Sequence, residues 1–257
     1  MLNYIKSECY RIFHGKEFYC LFAILTALIT AMNVITYWFG KLPGFTYANT
    51  RFVYSTIDTS MHTFIYIIIV ICSVMDGSSM HNLKNSAASG ISRKTIYIGR
   101  LITQSIICIG MYVILMGFYF LLGKLLMENS GIIAAENFIR SAWVCIPMFL
   151  GVIAVYQCCV FLNKNTVSAM VIFITVLVAV PALLRMLGMK FIGIKRVSDL
   201  LIYNLLRVEF VETAAGYQRN YTWDTTEGIW KCIMIGIITV VLFTMIGIKY
   251  FQKKEIR

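Results

Sequence analysis

From residue 18 to residue 40 the chain carries no charged side chain. A helix rises about 1.5 Å per residue, so a run of this length crosses a hydrocarbon layer of about 30 Å. Comparable apolar runs recur at residues 59–76, 101–123, 141–162, 166–187 and 228–248. Charged residues make up 14% of the chain, and its mean hydropathy is +0.76. A soluble domain averages roughly 25% charged residues. The expected fold class is therefore all-α: a polytopic membrane protein with six transmembrane helices in a single transmembrane domain over residues 1–257. The net charge of +11 belongs with span ends at a lipid bilayer rather than with nucleic acid, because the basic residues cluster beside the apolar runs.

Residues 1–17 place Leu2, Ile5, Cys9, Ile12 and Phe13 on one side of a helix. That pattern predicts an amphipathic helix lying at the membrane interface. Residues 41–58 and 124–140 are expected as loops on the far side, and residues 163–165 as a tight turn. Pro147 and Pro181 fall inside the fourth and fifth spans, where proline frees a carbonyl and kinks the helix. Between the fifth and sixth spans, Ser198 is expected to cap a helix running to about Thr213 and closed by Gly216. Six spans put both termini on one side. The 23 Lys and Arg residues divide almost equally between the two sides, but those next to short loops weigh most. This places both termini and residues 76–100 in the cytoplasm.

Little in the chain points to chemistry. GFYFLLGKL at residues 117–125 has one residue too many between its glycines for a phosphate loop, and Leu125 stands where Ser or Thr would hold magnesium. His14, His62 and His81 are scattered, and no HExxH occurs. The eight cysteines lie mostly within apolar runs without a CxxC, which reads as small buried hydrophobes rather than disulfides or metal ligands. No enzyme activity and no cofactor on this chain are expected. Gln104, Gln157 and Arg185 are polar groups in or beside spans, and such groups either line a path or hydrogen-bond between helices.

The most informative polar stretch is residues 80–100, MHNLKNSAASGISRKTIYIGR. Leu83, Ala87 and Ile91 recur at helical spacing, Gly90 suits a left-handed terminus, and Ser92 suits the cap of the next helix. NLKNSAASGISRKTIYIGRLI, residues 82–102, resembles the segment after span two in six-span permease subunits of ABC-2-type exporters, particularly small bacterial ones of antimicrobial-peptide or lantibiotic export and immunity. Leu83, Lys84 and Asn85 match a "TLKN"-like start, with Asn82 in place of Thr. Gly90, Ile91, Ser92 and Arg93 match a G/P-I-S-R turn, and Arg100 a later basic position. Glu8 and Arg11 in SECYRIFHGKEF are similar to the family's N-terminal Glu-x-x-Lys/Arg opening. The resemblance implies a half-transporter. Residues 80–92 would form a cytoplasmic coupling helix, with Asn82, Leu83, Lys84, Asn85, Ala87, Gly90, Ile91, Ser92 and Arg93 contacting an ATP-binding subunit. ATP and magnesium would sit on two copies of that partner, and a second permease, identical or related, would complete the assembly. The competing reading is a non-transporting anchor, sensor or immunity protein that binds a peptide.

Overall fold

The computed structural model describes residues 1–77, 90–163, 166–213 and 216–253. The chain is mostly helical. Five helices are long and apolar enough to cross a membrane, and six if the bent pair Thr50–Thr59 and Met61–Asp76 counts as one span. This is the architecture of a membrane protein. Helix α1 is Leu2–His14, α2 is Lys16–Gly40, α3 is Thr50–Thr59 and α4 is Phe64–Gly77. Helix α5 is Arg93–Leu126, α6 is Ile132–Val144 and α7 is Ile146–Leu162. Thr166–Ile174 forms α8, Val180–Gly188 α9, Ile192–Ser198 α10, Ile202–Leu205 α11 and Thr226–Lys253 α12.

Helix α7 is the axis of the bundle. Its residues from Met148 to Phe161 are almost all buried, and it packs against α4, α5, α8 and above all α12. The closeness of α7 and α12 has a sequence cause. A Cβ at Gly236 of α12 would lie 2.5 Å from the Pro147 backbone, so only glycine admits the crossing. Small residues at such crossings let helices gain dispersion contact where water supplies no driving force. Helix α2 lies at the periphery, with Asn33 its one buried residue. Apolar side chains pointing away from the bundle, such as Leu28 and Met32, are what a lipid-facing surface requires.

Several expectations are corrected. The segments 41–58 and 124–140 are not simple loops. Asn49 caps α3 by accepting a hydrogen bond from the Phe52 amide (2.8 Å), and α6 occupies much of the second segment. The two pack together through the rings of Tyr54, Phe120 and Phe138. The helix that carries the apolar run 101–123 starts at Arg93, with Ser92 at its cap as expected: the Ser92 side chain accepts from the Thr95 amide.

Pro147 sits in the first turn of α7, where its missing N–H costs no intrahelical bond. Pro181 is different. The chain rewinds into a π-helical turn over Thr175–Ala179 immediately before it, one of the known ways to accommodate a break in the ladder. Of the expected tight turn at 163–165, residues 164 and 165 lie outside the described residues.

The expected helix from Ser198 to Thr213 does not form. Ser198 is the last residue of α10, and its hydroxyl accepts from the Asn204 side chain (2.8 Å) instead of capping a helix. Glu209–Thr213 and Gly216–Asn220 pair as an antiparallel β-hairpin, β1 and β2, with Phe210 opposite Arg219. Phe210, Val211 and Thr213 favour a pleated surface over a helix, and Gly216 opens a strand rather than ending a helix.

Candidate functional site

The stems of the segment at residues 78–92 meet in a buried polar cluster. Asp76, at the end of α4, and Arg100 and Gln104, one turn apart on α5, are each about 1–2% exposed. An Arg100 Nη2 and the Gln104 Nε2 both donate to the Asp76 Oδ1 at 2.5 Å. The guanidinium also lies 5.5 Å from the centre of the Phe161 ring on α7. The Tyr156 hydroxyl, also on α7, is buried and has no hydrogen-bond partner among the described residues. Charges this deep are tolerated only as pairs. Among the described residues, Asp76 Oδ2, Arg100 Nη1 and Gln104 Oε1 have no hydrogen-bond partner, so the cluster is tight without being fully satisfied.

Helix α1 closes over this cluster. Arg11 pairs with Glu8 (2.7 Å) and donates to the Met75 carbonyl at the end of α4 (3.3 Å). A basic side chain there meets carbonyls that have no partner within their own helix. Tyr4 packs over Gly99 of α5. Burial, reinforced by the Glu8 carboxylate, pushes the Tyr4 hydroxyl above its ordinary value, so it stays neutral. The side of α1 turned to the bundle carries Tyr4, Glu8 and Ile12. Leu2 and Phe13 are exposed, which leaves them for the lipid surface. The polar contacts of Glu8 and Arg11 decide the rotation, and hydrophobic periodicity alone does not record them.

Arg93, at the start of α5, donates to the Gln252 carbonyl near the end of α12 (2.9 Å). Four elements, α1, α4, α5 and α12, are therefore tied together at one end of the bundle by three arginines. Gly90 has φ of +84°, the left-handed conformation expected of it and one that glycine adopts without strain. Ile91 packs against the core. Asn82, Leu83, Lys84, Asn85 and Ala87 lie outside the described residues, as does the expected coupling helix up to residue 89.

Among the described residues, no hydrogen bond joins the three expected path residues to one another. Gln104 belongs to the Asp76 cluster. Gln157 is fully buried on α7, with neither amide atom hydrogen-bonded among the described residues. Arg185 on α9 faces Glu209 of β1 at 3.6 Å. Sequence reasoning missed Asp76 as a buried partner. The signal was present, because an acid and an arginine at adjoining span ends each need a counter-charge. A second pair went unnoticed for the same reason: the Ser141 hydroxyl donates to the buried Asp58 at 2.5 Å and joins α6 to α3.

Among the described residues, no group of three or more His, Cys, Asp and Glu gathers as a metal site. All eight cysteines are free thiols, and the sulfurs of Cys72 and Cys108 lie 3.5 Å apart. No family model and no curated protein sequence matches the chain.

Proposed function

We propose that this chain is the membrane permease subunit of an ABC exporter, which moves a peptide or other amphiphile across the cell membrane with ATP hydrolysed by two separate subunits. In this reading six spans leave both termini and residues 78–92 in the cytoplasm, and a second permease completes the pathway. The observation that carries it is the arginine-tied end of the bundle. A transporter driven by an external motor needs a place where force enters and a rigid connection from it to several helices. The stems of residues 78–92 are joined by the Asp76–Arg100 pair, and Arg11 and Arg93 extend the connection to α1 and α12. Displacement of that segment moves four elements as a unit. The resemblance at residues 82–102 supplies the nature of the partner.

The test is Ile91→Asp, which puts a carboxylate at the turn where the partner would bear. The variant is expected to insert normally and to lose co-purification with a co-expressed ATP-binding subunit, together with transport-coupled ATP hydrolysis. Unchanged pull-down and unchanged transport would reject the role of this turn and favour the anchor or immunity reading. The topology has its own test. In cysteine-free protein, Ser86→Cys should resist an impermeant maleimide added to intact cells, and Ala215→Cys should react. Labelling of position 86 from outside would invert the orientation.

A further inference from the structure

At the end of α12 opposite to Arg93, an open cavity of about 330 Å³ lies between α10, α11, β1 and the first turns of α12. Its charges are arranged in an unusual way. Helix α10 and the residue after it offer Lys195 and Asp199, and α12 offers Glu227 and Lys231. Each is an opposite-charge couple four residues apart, the spacing at which side chains on one helix normally meet. Two lysines and three carboxylates line the space: Glu209 lies 3.6 Å from Arg185, and among the described residues the other four charges are in no ion pair. Beneath the cavity, Asn204, only 7% exposed, donates its amide nitrogen to Ser198 and to the Pro181 carbonyl and so fixes this wall.

We propose that this cavity binds a zwitterion: one small molecule, or the end of one, that carries an ammonium and an oxyanion a few bonds apart. The ammonium meets Asp199 or Glu227, and the oxyanion meets Lys195 or Lys231. The volume lies at the small end of ligand sites. That suits a short peptide or a lipid headgroup of the phosphoethanolamine type. The inference stands on the cavity alone and does not depend on the transporter reading.

The full chain is placed in nanodiscs made only of phosphatidylglycerol, so that no zwitterionic lipid is present. Trialanine, N-acetyl-trialanine, trialanine amide and glycerophosphoethanolamine are titrated, and saturation transfer from protein to ligand is read by NMR. Trialanine should bind in the millimolar range, and capping either end should weaken it about tenfold. Glu227→Gln should erase the discrimination against the acetylated form, and Lys231→Gln that against the amide. Glu227 is exposed and Lys231 half-buried beside the open cavity, and Gln keeps most of each side chain's length, so the fold survives either change. Binding of glycerophosphoethanolamine with none of trialanine assigns the same zwitterion site to a headgroup. Equal binding of capped and uncapped peptides, insensitivity to both variants, or no binding of any probe at about 10 mM would overturn the proposal and return the four charges to closure within their own helices.

Discussion

The two ends of α12 solve the same electrostatic problem in opposite ways. Near Lys253, charges are withdrawn from water and partnered: buried Arg100 meets Asp76, and half-buried Arg93 and Arg11 each meet a helix end. Near Thr226, charges of both signs stand around an open cavity, and among the described residues most of them remain apart, Glu209 with Arg185 excepted. Burial explains the difference. Inside the bundle an uncompensated charge is too costly to persist, so the fold must deliver its partner. At the surface, water screens each group, and pairing contributes little. The first end is therefore built to hold helices together. The second has electrostatic capacity to spare for something outside the chain.

The comparison can be broken most forcefully at the buried end. Arg100→Met leaves the Asp76 carboxylate without its cation, and is expected to cost about 3–5 kcal/mol, seen as a lower unfolding midpoint in detergent. Adding Asp76→Leu should restore most of the loss, since an apolar pair can replace a buried ionic one. If the double variant unfolds as early as the single, the cluster is not behaving as a pair.

A smaller effect is expected from Asn204→Leu beneath the cavity. It leaves the Pro181 and Ser198 carbonyls unmet, at roughly 1–3 kcal/mol. A stability equal to the parent's would show that these bonds are replaced by water. Smallest of all is Lys195→Gln on the open rim, where the unfolding midpoint should not move measurably. A clear drop there would mean that the cavity charges are structural, and the contrast between the two ends would disappear.

Reading the sequence locates the helices far better than it locates their partners. The apolar runs stand out because hydrophobic length is a local property. Ser92 and Gly90 were legible for the same reason, since a cap and a left-handed turn each depend on one or two residues. What α1 grips was not legible. The stripe of Leu2, Ile5, Cys9, Ile12 and Phe13 marks a side for the interface, but nothing in it records that Glu8 is buried or that Arg11 reaches the Met75 carbonyl. The β-hairpin was hidden by Leu201, Leu205 and Val208, whose spacing imitates a helix up to the point where Glu209 begins to alternate.

The sequence by itself pointed to a membrane protein with six apolar runs, of which the structure forms five to six helices long enough to span, and to a sharp turn near residue 90. Each follows from side chains within a few positions of one another. Only the tertiary structure decided that Asp76 belongs to Arg100 and Gln104, that Arg93 grips the end of α12, and that Lys195, Asp199, Glu227 and Lys231 share one cavity. Those relations join residues on different helices, and which helices meet is set by packing around α7 and by the close approach at Gly236. Many partner sets were compatible with the same apolar spans. The cost of leaving a charge unpaired in the interior selected among them, and for those four residues at the open cavity that cost was too small to select a pairing.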